Sequence, residues 1–244
     1  MLYIDPRPVG SYIAGAVETG QQTFEEHPIN VRSRRIPAKI TRYRRLIRHL
    51  FADRIAEQEP LRWVDVGCGY GEMLEAARSV LPAGSEVIGV EPMTHKAQCA
   101  EARGLEVINR FLEEGQFEAD VVSNMDVFSH IPDYRQFLAT VATNLKPGGV
   151  LLIETGNTAD LENRADLPNE LGLPDHLTFA GEPQLRRYLE TIGYAPAMVV
   201  RERSDTITQM AKNAAKLLLG RESRVSLPYT SRYRQLIIRA EPIR

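Results

Sequence analysis

Residues 62–74 read RWVDVGCGYGEML: an apolar run, glycines at 67, 69 and 71, then a stretch that looks helical. Glycine inside regular structure costs about 0.5–1 kcal/mol relative to alanine, so three in five residues mark positive φ angles or a backbone that something approaches closely. A strand, a glycine-rich turn and a helix N-terminus together form a concave site with free backbone N–H groups, and nucleotide-like cofactors are its usual occupants. The spacing here is G-x-G-x-G. Where the dinucleotide fingerprint G-x-G-x-x-G needs its third glycine, this chain has Glu72. A carboxylate in the first helical turn suits an anionic diphosphate poorly, which disfavours a NAD-dependent oxidoreductase.

Outward from that turn, strand and helix patterns alternate. Leu61 to Val66 reads as strand, Tyr70 to Leu81 as helix, Glu86 to Val90 as strand and Met93 to Arg103 as helix. Leu105 to Asn109 and Ala119 to Asn124 are strands, Asp133 to Leu145 a helix, and KPGGVLLIET a turn followed by a buried strand, Val150 to Glu154. Ala197 to Arg201 and Tyr233 to Ala240 supply two more strands. Strands separated by helical crossovers predict a parallel sheet covered on both faces.

Composition sets the limits. A chain of 244 residues, 43% apolar and 25% charged, has room for one large or two small domains with a full core. Its formal net charge of -2 argues against wholesale attraction to nucleic acid. Cys68 and Cys99 are the only cysteines, so neither a disulfide framework nor a cysteine-rich zinc site can be built, and no metal is expected. The N-terminus lacks a basic region followed by an apolar run, and no segment approaches the roughly 20 apolar residues of a membrane span. The expectation is a cytoplasmic protein.

Two segments depart from the alternation. Residues 31–50 hold eight arginines and lysines and no acidic residue, with Ile36, Ile40, Tyr43, Ile47 and Leu50 at helical spacing. This predicts a basic amphipathic helix, its charges a solvated face, an attraction for a phosphate-bearing or carboxylate substrate, or a contact with a membrane surface or nucleic acid. Residues 204–231 lie between the last two strands. Ser204 or Asp205 can cap a helix there, with Ile207, Met210, Ala214, Leu217 and Leu218 on one face and Gly220 at its end. That stripe can serve the core, a pocket cover or a homodimer contact.

At this point VDVGCGYGEMLEAA resembles the first motif of the class I S-adenosylmethionine-dependent methyltransferases. VIGVEP resembles the second motif, and residues 117–155 resemble the fourth-strand and fifth-strand motifs of small-molecule methyltransferases related to ubiquinone and menaquinone biosynthesis enzymes. PDHLTFAGEPQLRRYLETIGY is similar to the late helix of that group. The resemblance runs from about Leu61 to Ala240. It implies a Rossmann-like three-layer α/β sandwich with a mostly parallel seven-stranded sheet and an antiparallel last strand. It divides the chain into a helical extension or lid, 1–58, and a methyltransferase domain, 59–244, interrupted by the insertion at 204–231.

The resemblance also implies residue roles. The turn formed by Gly67, Cys68, Gly69 and Gly71 would cradle the amino-acid part of S-adenosylmethionine, and Glu91, followed by Pro92, would take the ribose hydroxyls. Phe111 and Leu112 fall where the family contacts adenine. Read from the residues, Asp65 in a buried strand needs donors, from the turn or from the cofactor's ammonium, and Asn124 and Met125 end the fourth strand near the sulfonium. Cys68 also fits as a small packing residue. His130 and His176 follow motif strands, where sheet ends open into a site, and are the candidate general bases for an acceptor hydroxyl; a substrate-shaping role is equally open to each. The expected activity is methyl transfer to a small molecule, at oxygen, on a sugar or natural-product intermediate. A nucleic-acid methyltransferase and a non-catalytic cofactor-sensing or scaffolding module are the alternatives.

Overall fold

The computed structural model describes residues 2–3, 36–156, 176–202, 211, 214–216, 218–220 and 235–243. In chain order the elements are β1 (Leu2–Tyr3), α1 (Ile36–Leu50), α2 (Ala52–Ala56), β2 (Arg62–Val66), α3 (Glu72–Arg78), β3 (Glu86–Val90), α4 (Thr94–Glu101) and β4 (Glu106–Ile108). There follow β5 (Ala119–Met125), a 3-10 turn (Phe128–His130), α5 (Tyr134–Thr143), β6 (Leu145–Gly156), β7 (Thr178–Phe179), α6 (Glu182–Thr191), β8 (Tyr194–Glu202) and β9 (Gln235–Pro242).

Seven strands make one sheet in the order β4-β3-β2-β5-β6-β9-β8. All neighbours from β4 to β6 are parallel, and the last strand, β9, runs antiparallel to both β6 and β8. The chain begins mid-sheet at β2, moves outward to β4, and returns to β5 on the other side of β2. Connections therefore diverge between β2 and β5, and a cleft opens there at the carboxyl ends of the strands.

Strand side chains alternate between two buried faces. Trp63, Val87, Val121, Leu152 and Ile237 meet α1 and α3 on one side. Val64, Ile88, Val122, Ile153 and Ile238 meet Leu138 of α5 and Leu185 of α6 on the other. Burial on both faces explains the unbroken apolar runs of the sequence. The result is the three-layer sandwich that the resemblance implied. No helix among the described residues is long and apolar enough to cross a membrane.

Element boundaries differ from expectation for local reasons. The helix expected from Tyr70 starts at Glu72, because Gly71 takes a left-handed φ of 83° at its N-cap. That expected from Asp133 starts one residue later: the Asp133 carboxylate is its cap, accepting from the N–H groups of Arg135 and Gln136 at 3.0 and 3.1 Å. β6 starts at Leu145, which pairs with Ala119; the register then shifts, and Val150 pairs with Val121. The two-residue ladder of β1 with β7 was not expected, since two residues carry no periodic pattern.

Of the basic segment, residues 31–35 lie outside the described residues. The remainder is α1, whose Ile40, Tyr43, Ile47 and Leu50 are buried against the sheet. Most of the 204–231 insertion also lies outside the described residues. Of its expected stripe, Ala214 and Leu218 are helical and exposed, so the core reading does not hold for those two.

Candidate active site

The three turn glycines take φ angles of 70°, 57° and 83°, but their missing side chains serve different ends. A Cβ on Gly67 would stand 2.4 Å from Cγ2 of Val127, and one on Gly71 2.3 Å from Cδ1 of Leu105. Those two glycines let other segments close on the turn. A Cβ on Gly69 would meet nothing within 4 Å. Here a ligand can lie against the main chain.

The turn is held from below by β3. Gly67 and Cys68 both donate their N–H to the Val90 carbonyl, at 2.7 and 3.2 Å. Glu91, 5% exposed, accepts from the Gly69 N–H at 2.7 Å and from the Met93 N–H at 2.9 Å. Each carboxylate oxygen keeps a second acceptor site, so ligand hydroxyls can join without displacing these bonds. Asn109 donates to the carbonyls of Glu91 and Pro92, tying the ends of β4 and β3 together. The Cys68 thiol fills the space a side chain at Gly89 would take, and burial pushes its pKa up. That is a packing role.

Asp65 ends a buried relay: Trp63 Nε1 donates to Ser123 Oγ at 2.8 Å, and that hydroxyl donates to Asp65 Oδ1 at 2.5 Å. Burial pushes the Asp65 carboxyl up to about 7, with Ser123 and Lys39 opposing the shift. At the end of β5, Asn124 is fully buried with neither amide atom hydrogen-bonded, and Met125 is buried beside it. Asp126 follows with a left-handed φ of 61° and donates its N–H to the Glu154 carbonyl at 3.0 Å. Glu154 is 1% exposed and receives the Arg42 guanidinium at 2.6 and 3.1 Å; Arg42 Nε also donates to Glu202 at 2.7 Å. Burial and Asp126 push the Glu154 carboxyl up to about 7 against the Arg42 bonds. This fork fixes α1 over the carboxyl ends of the strands.

The two histidines meet. The Leu177 N–H donates to the Ser129 carbonyl at 2.8 Å, joining the 3-10 turn to the segment before α6. That bond sets the His130 and His176 rings edge to face, with centroids 4.9 Å apart, and Phe179 6.0 Å from His176. Phe111 is 48% exposed, and Leu112 packs partly against the second core face.

A glycine turn, an acid on the next strand and a switch-point cleft are common to several nucleotide-binding folds. Sequence comparison decides among them: residues 34–197, more than half of the chain, match the methyltransferase-domain family. The chain belongs to that family. Its sequence is 35% identical over 108 residues to the ubiquinone biosynthesis O-methyltransferase of Rhizobium johnstonii, covering 41% of this chain and 42% of that one. The match thus spans less than half the length of that curated relative. Among solved structures, the fold is similar to a sarcosine dimethylglycine methyltransferase assigned in Galdieria sulphuraria (TM-score 0.64, 14% identity, covering 83% of this chain and 86% of that one). It is also similar to the geranyl diphosphate C-methyltransferase of Streptomyces coelicolor (TM-score 0.61, 16% identity, covering 93% and 90%).

Within this methyltransferase, the sequence reading gave no site role to four residues at the carboxyl ends of β5 and β6 and on the helix packed over them: Asp126, Glu154, Arg42 and Tyr43. Tyr43 was legible only as part of a core stripe, and Arg42 only as one basic residue among eight. Glu154, an acid closing the apolar run VLLIE, was the detectable signal among them.

Proposed function

We propose that this methyltransferase binds S-adenosylmethionine at the glycine turn and methylates a hydroxyl of a small-molecule acceptor. The observation that carries the reading is Gly69, a positive-φ glycine open to space on its Cβ side, with its N–H held by the Glu91 carboxylate. The residues fit the cofactor: Glu91 has acceptor capacity for ribose hydroxyls, Asp65 an acid for an ammonium, and Asn124 an unpaired amide. When bound, S-adenosylmethionine supplies a sulfonium-activated methyl group for in-line displacement. The chain aligns the acceptor and excludes water, and orientation alone can supply about 7–11 kcal/mol. The names of the curated relatives and the His130–His176 pair both support oxygen as the methylated atom. His130 would take the acceptor's hydroxyl proton, with His176 holding its ring. Residues 1–58 and 204–231 would cover the acceptor, because the shared sheet supplies a cofactor site but little that encloses a substrate.

Calorimetry with S-adenosylhomocysteine and single-turnover methyl transfer to a panel of phenols, sugars and RNA test this reading. Glu91→Gln keeps one acceptor for the turn and should weaken cofactor binding by about 1.5–3 kcal/mol. His130→Gln should lower the single-turnover rate by about 10²-fold or more with cofactor affinity unchanged. A His130 variant within threefold of wild type removes His130 as the base, and a folded protein that binds no S-adenosylhomocysteine refutes the cofactor assignment.

A further inference from the structure

The end of the glycine turn is packed against the segment that joins α4 to β4. A Cβ on Gly71 would stand 2.3 Å from Cδ1 of Leu105 and 3.2 Å from Cβ of Ala100. Between those two residues in the chain comes Arg103, whose side chain is 26% exposed. Its guanidinium spans the turn and the helix that follows: Nη1 donates to the Tyr70 carbonyl and Nη2 to the Glu75 carboxylate of α3. Arg78 of α3 reaches back to the Gly104 carbonyl at 2.7 Å. Residues 100–105 are thus closed on α3 and on the turn by apolar contact and by hydrogen bonds in both directions.

Within the turn, the bonds to the Val90 carbonyl and the Glu91 carboxylate fix residues 67–69 against β3. The Tyr70–Gly71 peptide lies beyond them. Its N–H reaches the Cys68 carbonyl at 2.9 Å, and its carbonyl is the one that Arg103 holds. Glycines at 69 and 71 leave the backbone on either side of Tyr70 free to take other φ angles, so the peptide plane depends on what its two ends are bonded to. A guanidinium presents its donors in a rigid fork, and a charged donor makes a stronger bond than a neutral one. Joining α3 to the end of α4 needs the Glu75 pair and nothing more. The second prong, on a main-chain carbonyl next to Gly69, bears on the surface where a ligand can lie.

We propose that Arg103 is a positioning residue for the cofactor: by holding the Tyr70 carbonyl it sets the Gly69–Gly71 backbone against which the amino-acid part of S-adenosylmethionine lies. This rests on the cofactor reading above. Arg103 acts through the turn and not by touching the ligand.

Calorimetry on wild type and Arg103→Gln, each with two ligands, tests the role. One is S-adenosylhomocysteine; the other is 5′-methylthioadenosine, which keeps the nucleoside and thioether and lacks the amino-acid part. Arg103→Gln should bind S-adenosylhomocysteine about tenfold more weakly and 5′-methylthioadenosine within about twofold of wild type. Glu75→Gln, which removes the ion pair and leaves Arg103 on the carbonyl, should bind both ligands within about threefold of wild type. Arg103→Lys cannot serve carbonyl and carboxylate together in the geometry of the fork; it should show the same selective loss, about threefold, and decides the matter if Arg103→Gln does not fold. Unchanged affinity of the Arg103 variants for S-adenosylhomocysteine overturns the proposal, and so does an equal loss for both ligands, which a tie serving the fold alone would give. A Glu75→Gln protein as weak as Arg103→Gln also overturns it, by placing the effect in the ion pair. Wild type that binds 5′-methylthioadenosine as tightly as S-adenosylhomocysteine overturns it without any variant. Folded wild type that binds neither ligand overturns the cofactor reading and this role with it.

Discussion

Asp65 couples the site to pH. Burial raises its carboxyl to about 7 in the folded protein, against about 3.9 for an unperturbed aspartate. A carboxyl whose folded pKa lies above its unfolded value holds its proton more tightly when folded. Its stabilising contribution is therefore complete below about pH 4 and is lost as pH rises through about 7. Asp65→Asn keeps an acceptor for the Ser123 hydroxyl and removes the charge. We expect its melting temperature to exceed that of wild type by several degrees more at pH 8 than at pH 5, by scanning calorimetry. A gain that does not change with pH would take Asp65 out of the pH dependence. If Asp65 meets the cofactor's ammonium, as proposed above, the same variant should also bind S-adenosylhomocysteine more weakly. Glu91 carries a different lesson at this scale. Alanine there would strip acceptors from the Gly69 and Met93 N–H groups, at about 1–3 kcal/mol for each left unpaired.

At the scale of elements, α1 shows how an expectation can be right about form and incomplete about role. Its apolar spacing gave the buried stripe, and exposed Arg45 and Arg48 match a solvated basic face. Arg42 does not belong to that face, because the sheet places Glu154 and Glu202 under it, 112 and 160 positions along the chain. Removing one partner of a buried pair leaves an uncompensated charge, which costs about 3–5 kcal/mol. Arg42→Met should lower stability by that amount in urea denaturation, and Arg42→Met with Glu154→Gln should recover most of it. If the double variant is as unstable as the single one, α1 is held by its apolar stripe and the ion pair is incidental.

For the whole molecule, the ladder of β1 with β7 matters more than its length suggests. Leu2 pairs with Phe179 and Tyr3 with Thr178, so the chain's first residues are tied two positions from His176. Deleting residues 1–30 removes that strand. We expect acceptor turnover to fall by about tenfold or more, through loss of orientation at the histidine pair. S-adenosylhomocysteine affinity should hardly change, because the residues proposed to hold it all lie within 65–125 and are retained. Turnover at the full rate after the deletion would end the idea that the N-terminal segment helps to form the acceptor site.

The order and type of the main elements were legible in the sequence because their signals are local. Alternation of strand and helix patterns, the glycine spacing at 67, 69 and 71 and the acid closing the second strand each lie within a few residues. From them followed the parallel sheet and the place of Glu91 at the end of its second strand; its bond from the Gly69 N–H was not among the expectations. The meeting of His130 with His176, the fork from Arg42 to Glu154 and Glu202, and the burial of the Tyr43 hydroxyl without a hydrogen-bond partner were decided by tertiary structure alone. The reason is geometric: adjacent strands of a parallel sheet are joined by crossovers, so residues that share one end of the sheet are dozens to more than a hundred positions apart, and no local pattern records which of them face each other.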